Sequence, residues 1–139
     1  MIIDGTNLIL GRVATFTAKS ALEGEQIVIV NCEKIIVTGR KKFLISQIQM
    51  KQGVGHPFHG PFFPKMPDRM VKRVIRGMLP YKQERGIKAF KRVKCFMGIP
   101  EQYQNQKLET IQKADASKLK TLQYLTINDL AKYFGKGYS

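Results

Sequence analysis

Gln26-Ile27-Val28-Ile29-Val30-Asn31 is the stretch on which the fold turns. A half-exposed strand would alternate apolar and polar residues at a period of two. Four β-branched residues in succession instead mark a strand buried on both faces, as in a parallel sheet covered by helices. Just upstream, residues 11–22 carry a helical pattern: Val13, Phe16, Thr17 and Ser20 share a face, with Ala14, Ala18, Ala21 and Leu22 beside it. Gly24 stands where a helix C-terminal glycine belongs. Ahead of that helix, Ile2-Ile3 reads as a short buried strand followed by a turn at Asp4-Gly5-Thr6-Asn7. Strands separated by helical segments predict a parallel α/β layer structure.

Downstream, Ile35-Ile36-Val37 is a further apolar run, and Thr38 is placed to cap a helix over 39–52 with Phe43, Leu44, Ile48 and Met50 as its apolar positions. Residues 53–67 contain three Gly and four Pro, and read as an ordered loop because Phe58, Phe62 and Phe63 need something to pack on. Pro67 and Asp68 suit the first turn of a helix over 67–79. Its apolar stripe is Met70, Val71, Val74, Ile75, Met78 and Leu79; Arg69, Lys72, Arg73 and Arg76 take the other side. Gly77 admits two readings, a close passage of helix and backbone or a merely tolerated helix glycine. A second basic helix over 83–92 places Ile87 and Phe90 inward and Arg85, Lys88, Lys91 and Arg92 outward, before a strand over 93–97. The tail is polar, then closes on a capping box at Thr126-Ile127-Asn128-Asp129 and a short helix ending at Gly135. Residues 1–100 are therefore expected to form the core, with 101–139 an extension packed on it and not a separate domain.

The chain has 139 residues, 43% of them apolar, which suits one domain with a true core. No apolar run approaches the ~18 residues of a membrane span. The opening Met1-Ile2-Ile3-Asp4 lacks the basic and apolar regions of a secretory signal. Cys32 and Cys95 fit no metal or redox spacing and are expected as reduced thiols in buried strands of an intracellular, cytoplasmic protein.

The charge points to a partner. The formal net charge is +14, and residues 40–94 alone carry fifteen cations against Asp68 and Glu84. Solubility requires neither that excess nor its concentration, and a self-repelling cluster costs stability until a polyanion neutralises it. Nucleic acid is the first expectation and an anionic membrane surface the second; the apolar faces look committed to the core, which disfavours the membrane. On a helix, Arg69, Lys72, Arg73 and Arg76 share a face through i, i+3 and i+4 spacing and form a phosphate-binding ridge. The arginines can grip phosphates bidentately or stack on bases. No RNP aromatic pair, GXXG loop or zinc finger is present, so recognition of shape and backbone is expected.

Catalytic and metal readings are weak. His56 and His59 are too few for a structural zinc site and are assigned to phosphate or backbone hydrogen bonds. No Gly-x-Ser-x-Gly elbow, dinucleotide fingerprint or Walker loop occurs. Asp4, at the end of the first strand, is the single candidate acid, with a turn or helix-cap role as its plainer reading. No cofactor, metal or small-molecule substrate is expected.

Several blocks resemble one family. Ile75-Arg76-Gly77-Met78-Leu79-Pro80, then Gly86 and Lys91-Arg92-Val93-Lys94-Cys95-Phe96-Met97-Gly98, closely resemble the universal large-subunit ribosomal protein numbered thirteen. Asp4-Gly5 through Leu10-Gly11-Arg12-Val13-Ala14, the strand at Ile27-Val28-Ile29-Val30-Asn31, and Ile35-Ile36-Val37-Thr38-Gly39 agree in order. The stretch from Gly60 to Arg69 and the ending from Tyr124 to Tyr138 resemble the archaeal and eukaryotic branch, and the compact length points to an archaeal member. The resemblance implies a three-layer α/β/α fold with a four-stranded parallel sheet. It also implies a non-enzymatic role: binding large-subunit ribosomal RNA beside neighbouring large-subunit ribosomal proteins, and supporting assembly. Residues carried over are Arg12, Arg40, Lys41, Lys42, Arg69, Arg76, Lys82, Arg85 and Arg92. Lys65, Lys72, Arg73 and Lys88, with His56 and His59, complete the expected RNA-binding set on the strength of charge and position. The open alternatives are a nonspecific nucleic-acid architectural protein and an RNA-processing enzyme using Asp4.

Overall fold

The computed structural model describes residues 1–134. Its strands are β1 (Ile2–Asp4), β2 (Ile27–Val30), β3 (Ile36–Thr38), β4 (Val93–Cys95) and β5 (Tyr124–Thr126). Its α-helices are α1 (Leu10–Glu23), α2 (Lys41–Gly53), α3 (Pro67–Gly77), α4 (Glu84–Arg92) and α5 (Ile127–Lys132). The β-branched run forms the centre of a parallel sheet ordered β1-β2-β4, with Ile29 between Ile3 and Cys95. Ile27, Ile29 and Val30 are fully buried, each side chain contributing roughly 1.5–3 kcal/mol by leaving water.

That sheet has three hydrogen-bonded strands, not four. After Val30 the chain turns sharply. Asn31 adopts the left-handed region with φ 54°, and Cys32–Lys34 makes one 3₁₀ turn. The turn redirects Ile36–Thr38 away from the parallel sheet, and β3 pairs antiparallel with β5, Ile36 opposite Thr126. Thr38 therefore belongs to a strand and does not cap α2, whose N-cap is Arg40 with no side-chain cap bond. Cys32 lies in the 3₁₀ turn rather than a strand, buried, while Cys95 at the end of β4 is half-buried; both are free thiols. A hydrogen bond with Cys95, and then burial, push the Cys32 thiol well above the ordinary thiol range.

The helices depart from expectation where packing overrides periodicity. α1 buries Val13, Ala14, Thr17, Ala18, Ser20 and Ala21, and ends at Gly24 with φ 109°. α2 buries no residue: Leu44 and Ile48 lie against the core's edge, while Phe43 and Met50 are exposed. α3 seats Met70, Val71 and Ile75 in the core and stops at Gly77, two residues before the expected end. In α4 the buried residues are Gly86 and Ala89, and Ile87 faces outward. The reason is backbone contact: a Cβ on Gly86 would lie 2.1 Å from the carbonyl oxygen of Pro80. At Gly77 an added Cβ would meet nothing within 4 Å, so that glycine is merely tolerated and the close passage is at Gly86.

The tail threads back through the molecule. Glu109 N–H donates to the Ile2 carbonyl (2.8 Å) and Asp4 N–H to the Glu109 carbonyl (3.0 Å). Ile9 N–H donates to the carbonyl of buried Ala114 (2.8 Å). Thr126 Oγ1 accepts from Asp129 N–H (3.1 Å), so the capping box starts α5, which adds Ile127, Leu130 and Ala131 to the core. The expected helix end at Gly135 lies outside the described residues. Among the described residues, no helix is long and apolar enough to cross a membrane.

Candidate nucleic-acid interface

α3 carries the densest charge because its apolar stripe is seated in the core, which leaves Arg69, Lys72, Arg73 and Arg76 on the opposite side. Arg69 and Arg76 are exposed; Lys72 and Arg73 are half-buried. Three of these cations rest over aromatic rings. Lys72 Nζ stands 5.1 Å from the Phe90 centroid, Arg73 Cζ 5.5 Å from Phe63, and Arg76 Cζ 5.1 Å from Tyr81. Such contacts fix the side chains without neutralising them. Arg73 Nη1 also donates to the Phe62 carbonyl (2.8 Å), pinning the loop before α3 against the helix.

Residues 62–66, α3 and Phe90 enclose a groove of about 750 Å³. Lys65, Arg69, Lys72, Arg73 and Arg76 line it, and none of its lining residues is acidic. Among the described residues, no carboxylate forms an ion pair with an α3 cation. Five of the fifteen expected RNA-binding residues thus converge on one feature. It can receive phosphates along its rim and a flat apolar group against its exposed ring, Phe62.

The other expected residues lie elsewhere or have internal partners. Lys82 and Arg85 are exposed. Lys88 pairs with Glu84 on the surface of α4 (2.6 Å), a contact worth about 0.3–0.5 kcal/mol. Arg92 is half-buried and donates to the Ala21 carbonyl (3.1 Å), tying α4 to the end of α1. Arg12 donates to the Lys113 carbonyl (2.9 Å) beside a mostly apolar groove of about 790 Å³ between α1 and residues 109–113. Arg40, Lys41 and Lys42 are exposed where α2 begins. The side chain of Tyr133 raises the Lys41 pKa, and its ring lies 5.8 Å from Lys41 Nζ.

His56 and His59 sit at an exposed loop tip closed by a bridge between His56 and Gly60. Their ring centroids are 5.3 Å apart, and His56 Nδ1 accepts from Phe58 N–H (3.2 Å). No group of three His, Cys, Asp or Glu side chains that could share a metal is found among the described residues. Asp4 Oδ1 accepts from Asn31 Nδ2 (2.9 Å), Thr6 Oγ1 (2.8 Å) and Thr6 N–H (3.0 Å). These bonds hold the turn after β1, the plainer of its two roles.

Sequence reasoning missed the rings under the cations. Phe63, Phe90 and Tyr81 come from the loop, α4 and the α3–α4 connection, and no local spacing relates them to residues 72–76. The nearest signal was the need of Phe62 and Phe63 for a packing partner.

Comparison with known proteins identifies the family. The sequence model of the family described as Ribosomal protein L13 matches residues 1–102. Large ribosomal subunit protein uL13 of Methanococcoides burtonii is 38% identical over 137 residues, 99% of each chain. The protein of that name from Archaeoglobus fulgidus is 42% identical over 96% of this chain and 86% of its own. That of Methanocaldococcus jannaschii is 42% identical over 96% of each. A family match across the sheet and the basic helices, with relatives aligned through the tail, leads to one conclusion: the chain belongs to the ribosomal protein L13 family.

Proposed function

We propose that this protein is a structural constituent of the large ribosomal subunit in the cytoplasm. It binds large-subunit ribosomal RNA, adjoins other large-subunit proteins, supports assembly and catalyses no reaction. The observation that carries the RNA-binding reading is the groove on which Lys65, Arg69, Lys72, Arg73 and Arg76 converge with no acidic lining residue. The apolar side of α3 anchors this charge to the core, so the cations form a fixed wall that offsets phosphate repulsion where RNA segments approach. Arg40, Lys41, Lys42, Lys82, Arg85 and Lys88 extend the basic surface, and His56 and His59 reach RNA from the loop tip. Arg12 and Arg92 combine an internal hydrogen bond with a phosphate-facing role.

A three-layer α/β/α organisation belongs to the same reading, supported by the burial of Ile27 and Ile29 on one face of β2 and of Val30 on the other. So does a single domain whose tail is an extension of the core, supported by the backbone bonds from Glu109 and Ile9.

The test is binding to refolded large-subunit ribosomal RNA fragments at near-physiological salt, with duplex DNA as competitor. Tight binding confined to one fragment, resistant to DNA and weakened by Arg69→Ala with Arg76→Ala, is the expected result. If about six to ten phosphates are engaged, affinity falls ~10³–10⁵-fold between about 50 and 200 mM salt. Equal binding to every fragment and to DNA reduces the protein to a nonspecific polyanion binder.

A further inference from the structure

We propose that the groove beside α3 holds one unpaired RNA nucleotide, its base stacked on the open side of Phe62 and its flanking phosphates held by Lys65, Arg69 and Arg76. The proposal rests on the reading of this chain as a ribosomal RNA binder and assigns the groove a particular element of that RNA.

Phe62 is 69% exposed at the rim of the groove. Phe63 and Phe90, by contrast, are half-buried and lie beneath Arg73 and Lys72. A large exposed ring gains nothing from water, and here the backbone that carries it is tied down while the ring lies close to Gly60. Arg73 Nη1 bonds the Phe62 carbonyl. Cδ2 and Cε2 of the Phe62 ring lie 3.1 Å from where a Cβ on Gly60 would stand, and Gly60 has φ 78°. A side chain at residue 60 would crowd the ring, so the glycine leaves it room to lie where it does, and Arg73 fixes the backbone that carries it. Arg73 is thus a positioning residue, and the exposed cations that meet phosphate are Lys65, Arg69 and Arg76.

The chemistry selects the occupant. A double-stranded A-form segment meets a protein with phosphates and 2′-hydroxyls while its bases stay stacked, so it has no use for a ring on the rim. An unpaired nucleotide offers a π-face to stack and phosphates within reach of surrounding cations, the combination by which single-stranded nucleic acid is held. The groove, about 750 Å³, falls within the usual range of small-ligand sites and has room for one nucleotide. Stacking reads a π-face and not a hydrogen-bond pattern, so the site tolerates any base.

The protein contains no tryptophan, so Phe62→Trp installs a single indole reporter at the rim. The probes are refolded intact large-subunit ribosomal RNA and, as control, a blunt A-form RNA duplex. The expected result is quenching of the indole fluorescence by the ribosomal RNA and not by the duplex. Phe62→Ala and Phe62→Leu should weaken ribosomal RNA binding about tenfold to a hundredfold, and Phe62→Tyr should retain it. The slope of log affinity against log salt should be unchanged by Phe62→Ala and reduced by about one for each of Arg69→Ala and Arg76→Ala. Thermal unfolding of each variant controls for folding. Ribosomal RNA binding that leaves the indole unquenched, or that is as tight in Phe62→Ala as in the parent, overturns the nucleotide site while leaving the RNA-binding reading intact. Failure of the parent protein to bind ribosomal RNA overturns both.

Discussion

Gly86 and Gly77 flank the connection between α3 and α4, and their tolerance of a methyl group should be opposite. At Gly86 the added carbon would overlap the Pro80 carbonyl at 2.1 Å, and backbone cannot swing aside as a flexible side chain can. Gly86→Ala is expected to destabilise the fold by about 3 kcal/mol, read as a lowered urea midpoint. Gly77→Ala meets open space at the end of a helix and should stabilise by about 0.4–1 kcal/mol, chiefly through the unfolded chain. Asp4 adds a pH dependence. Burial pushes its carboxyl up, but the bonds from Asn31 and Thr6, with the charge of Lys34, together outweigh it and hold the pKa below the ordinary value. A folded pKa below the unfolded one contributes stability that is present above about pH 3.9 and is lost as pH falls through the folded value. Asp4→Asn should therefore flatten the acid limb of the stability–pH profile, measured by chemical denaturation from neutral pH downward.

Among the elements, the start of α5 and the loop before α3 are held by bonds that single substitutions remove. Thr126 starts α5 directly after β5, and Thr126→Ala removes the acceptor for Asp129 N–H. The expected cost is about 1 kcal/mol, seen as faster amide exchange in 124–131 before the rest of the core. Arg73 holds the 62–66 loop through the Phe62 carbonyl and covers the Phe63 ring. Arg73→Ala should raise exchange in that loop while the parallel sheet stays protected. Phe62→Ala should leave the same exchange unchanged, because the bond is to its backbone.

At the scale of the whole molecule the dominant fact is the net charge of +14. Like charges along α3 repel in the free protein, and added salt screens them. The free protein should therefore gain stability as salt rises from low ionic strength, and Arg69→Ala with Arg76→Ala should raise its melting temperature at low salt and converge with the parent at high salt. Bound RNA acts by linkage: at one hundred times Kd, a ligand specific for the folded state adds about 2.7 kcal/mol. Calorimetry with and without the tightest-binding ribosomal RNA fragment would read that gain directly.

Much of the architecture is legible in the sequence. Ile27-Val28-Ile29-Val30 identifies the central strand because unbroken β-branched residues suit only a strand covered on both faces. Gly24, Pro67 and Thr126 mark helix ends because their backbone conformations and hydrogen-bonding groups act locally. The charge of residues 40–94 points to a polyanionic partner by composition alone, and the family blocks resemble a ribosomal protein. What the chain could not declare was everything set by contacts between distant residues. The destination of β3 depended on a left-handed Asn31 and on a partner strand almost ninety residues away. The outward turn of Ile87 depended on Gly86 meeting Pro80. The selection of five cations from fifteen, each set among the groove's rings and loop, depended on α3, α4 and the loop docking together. Periodicity and composition are local properties of the chain; partner choice, helix rotation and the meeting of charge with rings are decided only when the core closes.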